Sequence, residues 1–193
     1  MSTPPGEYYT EERWQNWLDR IEEEDVDPED EDSARLLLNL QDDAAIAVAK
    51  ILTDYEDGPL DEEATLDELT GVREIVLDDI DIDDEETVML IDGVQTSLLC
   101  VFYAAEEFVA EGAADDATIT DYIEAAADAE AEEDLDAALG YCVQAGTQII
   151  GGSELPMEVA EDLEYGLVSE WVNGLDSLQT AMSDPEVVEE DES

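Results

Sequence analysis

The stretch TVMLIDGVQTSLLCVFYAAEEFV, residues 87–109, is the longest apolar run in the chain. Its apolar side chains recur at helical spacing and spread over more than half of the helix circumference. A helix with so wide an apolar surface is one that other helices surround. We therefore predict an all-α fold, a compact bundle of six or seven helices around a central apolar helix spanning 84–111.

The apolar run has the length of a membrane span but not its chemistry. Asp92, Glu106 and Glu107 interrupt it, and no Lys or Arg flanks either end. The run also has the end signals of a helix in water, because Asp83 precedes it as an N-cap and Gly112 follows it as a C-cap. We expect a buried core helix and no membrane association.

The charge of the chain is extreme. It has 58 Asp and Glu residues against 5 Lys and Arg, no His, and a formal charge of −53 at pH 7. Because 44% of its residues are nevertheless hydrophobic and recur at helical spacing, a core can form. In molar salt the Debye length falls to about 3 Å, which screens the repulsion between surface charges. We interpret the acidity as adaptation to a salt-rich cytosol, and we expect no direct binding to nucleic acid.

The organisation of the chain follows from composition. We predict a flexible N-terminal lead-in at 1–10, a single all-α helical domain at 11–183, and a disordered acidic tail at 184–193. The lead-in lacks the basic and apolar regions of an export signal, so we expect a cytoplasmic protein. Cys100 and Cys142 both lie in apolar helical sequence, where reduced thiols serve as small buried hydrophobes.

The other helices are predicted from apolar spacing and end signals. Gly166 and Gly174 fall inside the last of them, and we expect close helix crossings there because Gly costs about 1 kcal/mol relative to Ala in a helix interior. The predicted helices are 11–24 with Thr10 as N-cap, one ending at Tyr55, 62–77 with Asp61 as N-cap, 119–132, 134–151, and a long last helix from a Ser153 cap to Met182.

The first helix carries a candidate interaction surface. Trp14 and Trp17 lie on one face, beside Arg13 and Arg20. Aromatic residues with Arg are common anchors of protein interfaces, so this face is a candidate site for a partner. The alternative is that the Trp edge packs on the bundle as part of an amphipathic helix.

The segment 119–151 resembles one tetratricopeptide-type helical hairpin. The closing Pro of such a repeat is absent, and Ile150 takes its place. Only one copy is present, so the resemblance implies a hairpin with this style of packing and not a repeat array. The groove of this hairpin is a second candidate interaction surface. The residues that carry the resemblance are Tyr122, Ala126, Ala138, Cys142 and Ala145.

The chain as a whole resembles an uncharacterised family of small acidic haloarchaeal proteins with relatives in methanogens. The stretches typical of it are EERWQNWLDRI at 11–21, LLLNLQDDAAIAVAKI at 36–51 and DGVQTSLLCVFYAAEE at 92–107. The resemblance implies an archaeal, intracellular protein and supplies no activity.

Catalytic chemistry has few candidate residues. Without His there is no imidazole base, no catalytic triad that uses one and no ordinary zinc site. Glu106, Glu107 and Glu111 are weak candidates for a magnesium or manganese site. They approach the Glu-Glu-x-x-Glu pattern of all-α nucleotide pyrophosphohydrolases, but Ala110 occupies its third position. A site of this kind would require the three side chains to share a cavity.

A second weak candidate is the pair Asp42 and Asp43, which lies within an otherwise apolar helix. We interpret it as a capped or solvated pair. We therefore assign no catalytic residue, no metal ligand and no cofactor from the sequence. The predicted function is a protein-interaction module of adaptor or regulatory type with another protein as partner, and the alternative is a magnesium- or manganese-dependent hydrolase. Homodimerisation through exposed Leu and Val faces stays open.

Overall fold

The computed structural model describes residues 9–24, 27, 29–58, 60–164 and 166–183. These residues form eight helices and no strand, so the predicted all-α fold is confirmed. Most of the predicted lead-in and the whole of the predicted acidic tail lie outside the described residues. The helices are α1 (Glu11–Glu23), α2 (Glu31–Asp57), α3 (Glu62–Val76), α4 (Glu85–Glu111), α5 (Ile119–Ala131), α6 (Leu135–Ile150), α7 (Met157–Asp162) and α8 (Leu167–Ser183).

Most helix ends follow the sequence signals. The Thr10 hydroxyl and the Asp61 carboxylate accept hydrogen bonds from the backbone N–H groups of the first turns of α1 and α3, as predicted. The N-cap of α4 is Asp84 and not Asp83, because the Asp84 carboxylate accepts from the Thr87 N–H at 3.1 Å. Gly112 ends α4 with a φ of 84°, a conformation that favours Gly.

The predicted long last helix is wrong, because the structure divides it into α7 and α8. The first piece begins only after Pro156, and Ser153 lies outside it. At Leu163 the backbone is extended, with φ −72° and ψ 135°, which ends α7. The division raises the number of helices in the described chain from the expected six or seven to eight.

A tertiary contact fixes the start of α8. The Glu130 carboxylate, on α5, accepts a hydrogen bond from the Val168 N–H at 3.2 Å. It also lies so close to Gly166 that a Cβ there would be 2.8 Å from a Glu130 oxygen. A carboxylate at a helix N-terminus stabilises the free N–H groups and the positive end of the helix dipole. The close neighbour of Gly166 is therefore the Glu130 carboxylate at the start of α8, and the predicted helix crossing at Gly166 is wrong.

The even-numbered helices α2, α4, α6 and α8 run in the same direction. Along α4 and each of the other three helices, rising residue numbers on one meet rising numbers on the other. Helices α3 and α5 return the chain in the opposite direction. The contacts that show this are Gln41–Ser97 and Tyr55–Val109 between α2 and α4, Gly93–Glu170 and Ser97–Gly174 between α4 and α8, and Cys100–Cys142 and Ala104–Gly146 between α4 and α6.

Helix α4 is the central element, as predicted, since it packs against α2, α3, α6 and α8. Among the described helices it alone has the length and mean hydropathy, 1.6 over its most apolar window, of a membrane span, and half of that window is buried inside the protein. This burial is consistent with a core helix of a soluble protein. Ile91, Leu98 and Phe102 are among its fully buried side chains.

Small residues allow the neighbours of α4 to approach closely. A Cβ at Gly174 would lie 2.2 Å from the Ser97 carbonyl oxygen, so the predicted close crossing at Gly174 is confirmed. A Cβ at Gly146 would lie 2.5 Å from that of Ala104, a second crossing that the sequence analysis missed. At these two glycines the backbones of α6 and α8 pack closely against α4. The closely packed helices form the framework on which surface sites are placed.

Candidate interaction groove

The predicted interaction face on α1 is directed largely into the protein. Trp14 is only 2% exposed and belongs to the core. The Arg13 Nε donates to an Asp43 carboxylate oxygen at 2.6 Å, and Nη2 of the same guanidinium donates to the other oxygen. The Trp17 Nε1 donates to the Asp43 carboxylate at 2.8 Å. Arg13 and Trp17 therefore fasten α1 to α2.

Of the four residues predicted to form that face, Arg20 is the exposed one. Its guanidinium lies 5.6 Å from the centre of the Trp17 ring and 3.9 Å from a Glu24 oxygen. Replacing Trp14 and Trp17 together would remove a core residue and a donor to Asp43. Such a variant would report on folding rather than on a surface.

Asp42 and Asp43 have different surroundings, and the interpretation of a capped or solvated pair is wrong for Asp43. Asp43 is 2% exposed and accepts three hydrogen bonds from α1. Asp42 is partly buried; burial raises its pKa, and a hydrogen bond with Ser177 opposes that rise. The sequence signal for Asp43 was an acidic residue inside an apolar helix. Its partners lie about thirty positions away in the chain, so local sequence patterns could not identify them.

The three candidate glutamates are not brought together. Glu106 accepts two hydrogen bonds from Arg73 Nη1, at 2.8 and 2.6 Å. Burial raises the pKa of Glu106, and the Arg73 charge opposes that rise. Glu107 lies beside Glu106 on the wall of a groove, whereas Glu111 is exposed and outside its lining. Within the part of the chain that the structure describes, no group of three or more His, Cys, Asp or Glu is placed to hold a metal ion.

A groove of about 550 Å³ lies between α3, α4 and α6, and we call it the α3–α4–α6 groove. Leu66, Tyr103, Leu139 and Val143 give it an apolar surface. Three carboxylates also line it, from Glu106, Glu107 and Asp136. Of the predicted hairpin 119–151 the groove uses only α6, so its position differs from the second surface expected from the sequence.

Two features keep the α3–α4–α6 groove open and chemically mixed. Gly140 lines it on α6, and no atom lies within 4 Å of where its Cβ would be. Tyr103 is 39% exposed, and the Arg73 guanidinium lies 5.9 Å from the centre of its ring. An aromatic ring, aliphatic side chains and carboxylates are therefore available side by side to a molecule that enters from solvent.

A second cavity, of about 400 Å³, lies near α1 and α2. Arg20 and Arg35 both line it, together with the carboxylates of Glu24, Asp30 and Asp32. Because the acidic groups outnumber the arginines, this cavity does not offer the net positive charge that an anion requires. The α3–α4–α6 groove is the better candidate for a binding site.

The thiols of Cys100 and Cys142 meet between α4 and α6. Both residues are fully buried and are not joined by a disulfide, in line with their predicted place in the core. Burial raises the pKa of the Cys100 thiol well above its ordinary value, and the hydrogen bond with Cys142 raises it further. A buried thiol with a raised pKa is a poor nucleophile.

Comparison with known proteins places the chain in one family. Residues 7–191 match the sequence profile of a family described as "Uncharacterized protein conserved in archaea (DUF2150)". No curated protein and no solved structure gives a significant match. The structure contains the helical hairpin at α5 and α6, but the comparisons do not confirm its resemblance to a tetratricopeptide repeat.

Proposed function

The chain belongs to the archaeal family DUF2150, and we propose that it acts as a protein-interaction module, an adaptor or regulatory subunit. The observation that supports this proposal is the α3–α4–α6 groove, where an apolar surface lies beside three carboxylates. Protein interfaces combine an apolar centre with polar groups around it. All three helices belong to a closely packed bundle, and such rigid elements suit the recognition of a partner.

The occupant that fits this groove is a segment of a partner protein with cationic side chains next to an apolar anchor. Glu106, Glu107 and Asp136 supply the negative charge, and Arg73 is paired with Glu106. Charge complementarity of this kind selects the partner and fixes its register. A helix or an extended segment with Leu or Val between Arg or Lys would place its apolar side chains against Leu139 and Val143.

We further propose that the protein works in the cytosol of a salt-loving archaeon. The formal charge of −53 would favour unfolding at low ionic strength, and molar salt would remove most of that repulsion. In molar salt, attraction between charges acts only over about 3 Å, so the partner must bind through direct contact and apolar burial. The α3–α4–α6 groove offers carboxylates for direct contact with charges and an apolar surface for burial.

The hydrolase alternative has less support. It requires carboxylates that converge on a magnesium or manganese ion. In the described structure Glu106 is paired with Arg73, and Glu111 lies outside the groove. No observation favours catalysis over binding.

The test is to block the groove without disturbing the fold. Gly140→Trp would place a large ring where the lining is open, and Gly71→Trp is the matched control on α3, where a Cβ also meets no atom within 4 Å. Tagged wild-type and variant proteins would capture partners from the native cytosol in molar KCl, with circular dichroism as the check on folding. We expect a partner that wild type and Gly71→Trp retain and Gly140→Trp loses.

A partner held equally by all three proteins would place the interaction elsewhere and overturn the role of the groove. Absence of a specific partner for correctly folded wild type would overturn the adaptor proposal. In that case the next experiment is a screen of nucleotides with magnesium or manganese, which tests the hydrolase alternative directly.

A further inference from the structure

We infer that the α3–α4–α6 groove recognises an arginine side chain of its partner, and that Arg73 occupies the place of that arginine in the free protein. This inference rests on the proposed function and specifies the chemistry of the partner. It is carried by the contacts that the Arg73 guanidinium makes with two residues of the groove lining, Glu106 and Tyr103.

The recognition position consists of Glu106 and Tyr103. Both Glu106 oxygens accept hydrogen bonds from Arg73, and the guanidinium carbon lies 5.9 Å from the centre of the Tyr103 ring. A carboxylate and an aromatic face are the two groups to which a guanidinium binds best. The Arg73 guanidinium therefore already contacts the two groups of the groove lining that a partner arginine would use.

Among the described residues, the Arg73–Glu106 contact is weaker in form than the Arg13–Asp43 contact. Arg13 contacts Asp43 through two nitrogens, the fork geometry that makes such pairs strong. Arg73 contacts Glu106 through Nη1 alone. The Glu106 side chain is 22% exposed, against 2% for Asp43, so water and a competing guanidinium have access to the Glu106 carboxylate. An incoming arginine that forms the fork can replace Arg73.

The rest of the groove favours the replacement of Arg73 by a partner arginine. Glu107 and Asp136 line it, and no ion pair in the described part of the chain involves either of them. A partner arginine would therefore enter a region of net negative charge, and the displaced Arg73 can turn toward water. Lysine has no planar fork and no flat face for the Tyr103 ring, so it should bind less well than arginine at the same position.

The experiment uses fluorescent helical peptides with one central Arg between leucines, and matched peptides with Lys or Gln in its place. Binding to the full-length protein is followed by fluorescence anisotropy in molar KCl. We expect the Arg peptide to bind wild type more tightly than the Lys and Gln peptides. Arg73→Met should bind the Arg peptide about fivefold more tightly, because the internal competitor is gone.

Glu106→Gln should lose the preference for Arg, and Glu111→Gln is the matched control that should keep it, since Glu111 lies outside the groove. The pH profile gives a second measurement. Without Arg73 the pKa of Glu106 should rise further, because burial then acts unopposed. Arg-peptide binding to Arg73→Met should therefore weaken more than binding to wild type as the pH is lowered.

Weaker or unchanged binding by folded Arg73→Met would overturn the inference, as would equal affinity for the Arg and Lys peptides. Failure of the inference is separable from failure of the proposed function. If the peptides do not bind but Gly140→Trp still loses a captured partner, the groove binds proteins by another chemistry. If the Arg peptide binds and Gly140→Trp blocks it while the cytosol yields no partner, the recognition stands and the adaptor role fails.

Discussion

At the scale of single residues, Asp43 shows how a charge is kept in the core. It lies in the middle of α2, 2% exposed, and its carboxylate accepts from the Arg13 guanidinium and the Trp17 indole. A buried carboxylate is tolerated only when a counter-charge and hydrogen bonds replace its water. Asp42, the preceding residue, is partly buried, and its neighbours are the Ser177 hydroxyl and the like charge of Asp176. Two adjacent acids therefore have different surroundings, and we expect their removal to have different effects on stability.

We expect Asp43→Asn to lower the free energy of unfolding by about 2–4 kcal/mol, because it removes the counter-charge of Arg13 and places an amide donor against two donors. Asp42→Asn is the control and should be neutral or slightly stabilising, since burial already disfavours its ionised form. Urea unfolding in molar KCl measures both. Equal effects of the two substitutions would contradict the assignment of Asp43 as the buried partner.

At the scale of the secondary-structure element, the start of α8 depends on another helix. The Ser169 hydroxyl of α8 accepts a hydrogen bond from the Gly166 N–H at 2.9 Å, whereas the Val168 N–H donates to the Glu130 carboxylate of α5. A Cβ at Gly166 would lie 2.8 Å from that carboxylate and would shift it away from its present position. The division between α7 and α8 is therefore stabilised by packing on α5 and is not encoded by a local cap alone.

Glu130→Ala should destabilise the first turn of α8 by about 1 kcal/mol, because the free N–H groups lose their acceptor and the dipole loses its counter-charge. Hydrogen exchange of the α8 amides measures the effect locally, and faster exchange is expected at the first turn. Glu124→Ala, an exposed substitution on the same helix α5, is the control. If both variants exchange at the same rates as wild type, Glu130 does not cap α8.

At the scale of the whole molecule, stability should depend on pH with an unusual sign. Burial raises the pKa of Asp42 and of Glu106 above the ordinary values of 3.8 and 4.5. At a pH between the ordinary pKa of each group and its raised pKa in the folded protein, the folded state binds more protons than the unfolded state. The stabilisation that Asp42 and Glu106 contribute is therefore complete when the pH is below their ordinary pKa values. It is lost as the pH rises through their raised pKa values. Repulsion between the carboxylates of a chain with charge −53 also lowers the stability as the pH rises.

We expect the melting temperature at low ionic strength to rise as the pH is lowered from 7 toward the ordinary carboxyl values, because Asp42 and Glu106 take up protons before ordinary carboxyls do and the general repulsion falls as further carboxylates are protonated. In molar KCl the rise should be smaller, because screening removes the general repulsion and leaves the buried groups. Asp42→Asn should flatten the remaining dependence. Stability that increases with rising pH in molar KCl would contradict this account.

The sequence supported the fold more fully than the site. Apolar spacing predicted the central helix, and short polar residues predicted the caps at Thr10 and Asp61, because these signals lie within a few residues of their effect. The same local rules extended the last helix through Gly166, since they do not include a carboxylate from α5. They also left two interpretations of the α1 face, a partner site or packing on the bundle, because they do not include Asp43 of α2 as the acceptor for Arg13 and Trp17.

The sequence by itself determined that this protein is an all-α bundle built around residues 85–111, because hydrophobic periodicity is a property of the chain alone. It also determined the net charge of −53, and with it the dependence on salt that we expect. Only the tertiary structure decided which carboxylates are buried, which are paired and which share a groove. Glu106, Arg73 and Asp136 come from three different helices, and their spacing in space depends on how those helices cross.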